Sequence, residues 1–213
     1  MSPDLRDLLR RVKRLADPTG SLTQRSVAGG VWVGLLNTSD RILQLLMIFI
    51  VARLIGPTEF GLMGIALVAL NGFRRFSKLG LKEALVYNED EDVDHYLNTT
   101  LSLNVGRGAV IAVVMLLTAP LVATLLGEPR ATNVLRALGF APLIFGLRNP
   151  GVVYFQKDLD FQREFVFKIS GAGAQLLVAV VYALNSPTVW ALVFASLSKR
   201  FVQAGMSYIV HPY

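Results

Sequence analysis

Three sets of polar residues repeat one spacing inside otherwise apolar sequence. Asn37, Asp40, Arg41 and Gln44 stand at i, i+3, i+4 and i+7. Asn71, Arg74, Arg75 and Lys78 repeat that spacing, with Lys82 extending it, and Ser196, Lys199, Arg200 and Gln203 repeat it again, with Ser207 extending it. Asn104 and Arg107 add a pair at i, i+3, and Lys168 and Gln175 a pair at i, i+7. At 3.6 residues per turn each set occupies one narrow face of a helix. Guanidinium and ammonium groups converging from several helices are phosphate ligands, Arg as a planar fork and Lys as a point charge. Asp40 is the one deep carboxylate set against them, so an ion pair with Lys199 or Arg200 absorbs only part of the charge. The surplus implies a cavity with an anionic occupant, a phosphate or pyrophosphate headgroup. Arg41, Arg74, Arg75, Lys78, Arg107, Lys199 and Arg200 are its expected cations, and Asn37, Asp40, Gln44, Asn71 and Gln203 its expected polar lining. For Arg74, Arg75, Lys78, Arg148 and Lys168 the competing reading is snorkelling to lipid headgroups.

Other chemistry is poorly supplied. With no Cys and only His95 and His211, a metal centre is not expected. No Walker A sequence is present, and Gly171-Ala172-Gly173 lacks the strand context of a dinucleotide site and reads as helix packing. Tyr, His and carboxylate residues form no catalytic cluster. The expectation is a protein that is not an enzyme and uses no cofactor.

The elements that must position these residues are apolar helices. Of 213 residues, 53% are hydrophobic and 17% charged, against about 25% charged in a soluble domain, and mean hydropathy is +0.51. Disorder and a secreted disulfide scaffold are excluded. A net charge of +6 and a pI near 9.8 would fit nucleic acid in a soluble protein, but here the cations lie inside or beside apolar stretches, so no nucleic acid is expected. Those stretches fall near 27–55, 60–80, 97–126, 134–155, 165–184 and 189–210, each at or near the roughly 20 residues that span a bilayer. Gly56-Pro57, Gly127-Glu128-Pro129 and Asn185-Ser186-Pro187 separate them as turns. Alternating strands of a barrel are absent from the pattern. The expected fold is all-α: a six-helix transmembrane bundle over 21–213.

Lys and Arg gather on one side of these spans, in the N-terminal arm and around the second–third and fourth–fifth connections, which places both termini in the cytoplasm. Residues 1–20 form a separate unit. Leu5, Leu8, Leu9, Val12 and Leu15 follow helical spacing among basic residues, as in a helix lying on the cytoplasmic leaflet with membrane lipids as its partner; binding to a protein partner is the alternative.

Four segments then resemble one family in order. Arg53 to Leu62 (RLIGPTEFGL) resembles the junction of the first two helices of the Wzx-type polysaccharide and oligosaccharide flippases. These belong to the multidrug/oligosaccharidyl-lipid/polysaccharide exporter superfamily. Phe76 to Val86 (FSKLGLKEALV) resembles the end of their second helix, Asn149 to Phe161 (NPGVVYFQKDLDF) their fourth-helix exit, and Tyr208 to Tyr213 (YIVHPY) their sixth. The resemblance covers about residues 25–213 and implies the N-terminal lobe of a transporter of the cell membrane. Its substrate would be a polyprenyl-phosphate-linked oligosaccharide used in polysaccharide biosynthesis. Members have two six-helix lobes around a cationic cavity, so a second six-helix half or a homodimer is the implied partner. A non-transporting half-bundle and a multidrug exporter of the same superfamily are the alternatives; the exporter would need intramembrane acids for cationic drugs.

Overall fold

The computed structural model describes residues 22–85, 93–153 and 161–210; the amphipathic unit expected over 1–20 lies outside them. The described residues form six α-helices and a short 3-10 turn, with no strand among them. The helices are α1 (Leu22–Leu54), α2 (Pro57–Leu85), α3 (Val93–Leu125), α4 (Ala131–Gly146), α5 (Phe161–Asn185) and α6 (Trp190–Val210), and the turn is Pro150–Val153.

The breaks have local causes. Pro57 opens α2, where its missing N–H is one the helix start would leave unpaired anyway. Gly127 has φ of 75°, a left-handed conformation that glycine adopts without a Cβ penalty. Its N–H donates to the Thr124 carbonyl, and the Glu128 N–H donates to the Ala123 carbonyl, the paired bonds that close a helix C-terminus. The fourth apolar stretch was expected to reach 155, but α4 stops at Gly146 after 16 residues. Asn149 precedes Pro150, and a residue before proline is pushed out of the α region. The exit is then tied to α6: the Asn149 N–H donates to Ser207 Oγ at 2.9 Å and Tyr208 Oη donates to the Leu147 carbonyl at 2.9 Å.

The helices pack α3 on α4, α5 on α6, α1 on α5, α4 on α6, and α2 on α4 and α3. Glycines let α3 and α4 meet backbone to backbone. A Cβ on Gly108 would lie 2.6 Å from the Pro142 carbonyl oxygen, and one on Gly146 2.5 Å from that of Asn104. The core is aliphatic, with Val51, Ile55, Leu70, Met115, Leu135, Leu138 and Val193 all fully enclosed. The exterior is apolar as well. Phe49, Leu117, Leu125 and Ile209 are 73–77% exposed, and each of the six helices turns at least one large hydrophobic side chain outward. Two stretches, Thr100–Leu125 and Arg163–Asn185, are long and apolar enough to cross a membrane by length and composition. Helix α4 is apolar but shorter, and α1, α2 and α6 are interrupted by Asp40-Arg41, Arg74-Arg75 and Lys199-Arg200.

Candidate anion-binding cleft

Helices α1, α2, α5 and α6, with Phe145 at the end of α4, line a cleft of about 510 Å³. Its lining is graded. Phe60 and Met63 of α2, Leu192 of α6, and Met47 and Ile48 of α1 are apolar; Arg74, Lys199, Arg200 and Gln203 lie further along α2 and α6, with Gln44 and Gln175 facing them from α1 and α5. The helical repeat accounts for the α6 contribution: Leu192, Ser196, Lys199 and Gln203 advance by four, three and four residues, which keeps them on one stripe.

The charges in this cleft are only partly neutralised. Lys199 Nζ donates to Asp40 Oδ1 at 3.2 Å, with the two side chains 25% and 32% exposed. The ion pair that the sequence offered as an alternative is therefore formed for Lys199. A single-contact pair this open to solvent contributes at most about 1 kcal/mol. Arg200 is held by its own helix, donating from Nη1 to the Ser196 carbonyl at 2.6 Å and to Ser196 Oγ. The Arg74 guanidinium stands 5.7 Å from the centre of the Phe145 ring, a favourable cation–π distance. Neither Arg74 nor Arg200 has a carboxylate partner among the described residues, and the two are close enough to repel each other.

Arg107 occupies the other side of Arg74. Its Nη2 donates to the Arg74 carbonyl at 3.2 Å, its charge repels that of Arg74, and both line a niche of about 110 Å³ with Asn104 and Phe145. Asn71 and Arg75 lie in an open groove along α2, again with Arg74. Arg41 is exposed on α1 and neither it nor Asp40 lines the cleft, although Asp40 contacts Lys199, which does. Asn37 and Lys78 belong to α1 and α2, with side chains outside the described set. The structure thus brings Gln44, Arg74, Lys199, Arg200 and Gln203 into one cleft, sets Arg107 in the adjoining niche, and leaves Arg41 and Arg75 outside it.

Phe145 was missed as a site residue, as was its link to Arg148, whose guanidinium lies 5.0 Å from the Phe145 ring centre and 4.5 Å from that of Phe167. The three-residue step from Phe145 to Arg148 at the end of an apolar stretch was the available signal. At the start of α2, Glu59 joins three helix starts. Its carboxylate accepts from Arg130 Nη2 at 3.0 Å and from the Val189 N–H at 2.8 Å, just before α6. No group of three His, Asp or Glu able to hold a metal occurs among the described residues.

An apolar exterior on every described helix, around a cleft lined by Arg74, Lys199 and Arg200, is the layout of a helical membrane protein. The sequence model of the family described as polysaccharide biosynthesis protein matches residues 50–213, and the chain belongs to that family, that of the Wzx-type polysaccharide flippases. It is 26% identical over 190 residues to the succinoglycan biosynthesis transport protein ExoT of Rhizobium meliloti (strain 1021), an alignment covering 87% of this chain and 37% of the relative. It is 24% identical over 194 residues to the lipopolysaccharide biosynthesis protein WzxC of Escherichia coli (strain K12), covering 91% of this chain and 38% of the relative. The chain thus spans little more than a third of the length of these relatives. No solved structure gives a significant match.

Proposed function

We propose that the chain forms one six-helix lobe of a flippase that moves a polyprenyl-phosphate-linked oligosaccharide across the cell membrane. The six α-helices are its spans, both termini are cytoplasmic, and the cleft receives the phosphate. The observation that carries this reading is the convergence of Arg74 and Arg200 on one cleft without a carboxylate partner for either among the described residues. In a partly dry cleft such charges interact with an anion far more strongly than in bulk water. The names of the two relatives support a role in polysaccharide transport. Their greater length supports a second lobe as partner. A multidrug exporter of cationic compounds fits less well: no acid lines the cleft among the described residues, and Asp40, which reaches its Lys199, is already paired there.

The test is substrate flipping, normalised to inserted protein, with a second six-helix lobe supplied. Arg74→Gln and Arg200→Gln should insert normally and lose flipping by at least about tenfold, the equivalent of roughly 1.4 kcal/mol. An unchanged ratio in both variants rules out the cationic-cleft mechanism.

A further inference from the structure

The start of α2 meets the α3–α4 turn and the start of α6 around another cavity, of about 240 Å³, which shares no lining residue with the cationic cleft. Glu59 and Arg130 form its charged wall. Both carboxylate oxygens are engaged, Oε1 by Arg130 Nη2 at 3.0 Å and Oε2 by the Val189 N–H at 2.8 Å. One negative and one positive charge offset each other here. The cleft, the niche and the α2 groove are instead lined by arginine without an acid among the described residues. The other wall is neutral. Asn133, Thr188 and Trp190 line it, and their side-chain amide, hydroxyl and indole N–H have no hydrogen-bond partner among the described residues. The Trp190 ring stands in a row with Phe194 and Tyr182, with successive centroids 5.6 and 5.2 Å apart, so a large apolar body is held in place while its N–H stays available.

We propose that this cavity binds one hexose ring of the carried oligosaccharide. This rests on the reading of the chain as a transporter of a phosphate-linked saccharide. A wall whose two charges are already paired selects for neither a phosphate nor a cation. A sugar ring is uncharged, its hydroxyls both donate and accept, and its C–H faces are apolar. The Asn133 amide and the Thr188 hydroxyl each offer a donor and an acceptor, and Trp190 offers one donor beside a flat apolar surface. The volume is below the roughly 300–1,000 Å³ of sites for drug-sized ligands, which suits a single ring rather than a longer segment. Arg74 stands about 22 Å further along α2 at 1.5 Å per residue. With the phosphate in the cleft, the saccharide is therefore the part of the substrate that can extend to this cavity. In the proposed topology the cavity lies at the external end of the bundle, so a ring bound there is held on the side of delivery.

The experiment uses the full chain in a detergent without a sugar headgroup. The chain has two Trp, Trp32 and Trp190, so Trp32→Phe leaves Trp190 as the fluorescent reporter. The probes are the methyl hexopyranosides of glucose, galactose and mannose. At least one should change Trp190 emission along a saturable curve, and excess inorganic sulfate, a probe for the cationic cleft, should leave that curve unchanged. Asn133→Ala, at an exposed position, should weaken sugar binding about fivefold without lowering the unfolding temperature, within what one neutral hydrogen bond is worth. Thr188→Val should act likewise. If Trp32→Phe fails to fold, saturation-transfer NMR with otherwise unaltered protein reads the same contact from the sugar protons. No saturable response to any of the three sugars overturns the proposal and leaves Trp190 as an interfacial anchor. A response that Asn133→Ala and Thr188→Val both leave unchanged overturns it too, as does one that sulfate displaces, which would place the sugar in the cleft. Sugar binding that depends on Asn133, beside flipping that ignores Arg74 and Arg200, sinks the reading of the cleft alone.

Discussion

Arg200 owes its position to a residue one turn earlier. Ser196 is 8% exposed, and its carbonyl and hydroxyl both accept from Arg200 Nη1, so the guanidinium is fixed before any anion arrives. Fixing a charged donor in advance removes side-chain ordering from the cost of binding. Ser196→Ala keeps the carbonyl and removes the hydroxyl. Alanine is the best helix former, so unfolding temperature should hold while anion affinity falls about threefold, part of what a hydrogen bond to a charged group is worth. Sulfate titration of Ser196→Ala beside Arg200→Gln checks this; equal losses in the two would remove the positioning role. The spacing of polar residues made Arg74, Lys199, Arg200, Gln44 and Gln203 legible as a group, because a helix repeats every 3.6 residues and the cleft follows one stripe. It did not separate Arg74 from Arg75 or Asp40 from Arg41. Adjacent residues differ by about 100° around a helix, and which of the two borders the cleft depends on how the helices are rotated against one another. Phe145 and Arg148 escaped for another reason: their pairing depends on where α4 ends.

At the scale of the helices, turn chemistry was readable and close approach was not. Gly56-Pro57, Gly127 and Asn185-Ser186-Pro187 all interrupt helices where their backbone preferences require it. The end of α4 was not readable from hydropathy, since apolar residues continue to Phe155; the Asn149-Pro150 step ends the helix regardless. The small faces at Gly108 and Gly146 have no signature beyond their composition, yet they set the spacing of α3 and α4. This yields a contrast between glycines. Gly146→Ala would drive a Cβ to within 2.5 Å of the Asn104 carbonyl oxygen, and backbone cannot swing aside as a flexible side chain does. It should destabilise by about 1–3 kcal/mol. Gly61→Ala, in α2 with nothing within 4 Å of its added Cβ, should stabilise by up to about 1 kcal/mol, the helix-propensity difference. Thermal unfolding of the two variants in the same detergent measures both. Equal shifts of the same sign would mean that the α3–α4 contact does not depend on a glycine.

For the whole molecule, the apolar exterior and the charged cleft belong to one design. A charge at a bilayer centre costs about 2.5–3.5 kcal/mol on insertion scales unless it faces a bundle interior or a wet cavity. Arg74, Lys199 and Arg200 line the cleft, while Val68, Phe201 and Ile209 on the same helices point outward, as that cost would require if these helices cross. Averaged along the segment, the charges lower the hydropathy of α2 and α6 and conceal the apolar face that would meet lipid. Among the described residues, Thr100–Leu125 and Arg163–Asn185 are the stretches apolar enough to span on composition, but a helix that lines a polar cleft needs to be apolar on one side only. The six-span reading therefore makes a prediction that segment hydropathy does not. If all six helices cross, the two ends of α5 lie on opposite sides of the membrane, the start cytoplasmic and the Asn185 end external, as the Lys and Arg bias requires. The chain has no native Cys, so single cysteines report position without background. With a membrane-impermeant thiol reagent on intact cells, Asn185→Cys should label and Arg163→Cys should not; in inverted vesicles the pattern should reverse. Six spans place the α3–α4 turn, probed by Glu128→Cys, on the same side as Asn185; if α2 instead lay along the surface both would label from the cytoplasm, and if α4 did they would label from opposite sides. Helix α6 is reported by Val210→Cys at its end, which six spans place on the side of Arg163. Labelling of Glu128→Cys and Asn185→Cys from opposite sides would remove the six-helix topology, and with it the argument that the cleft charges are sheltered inside a membrane bundle.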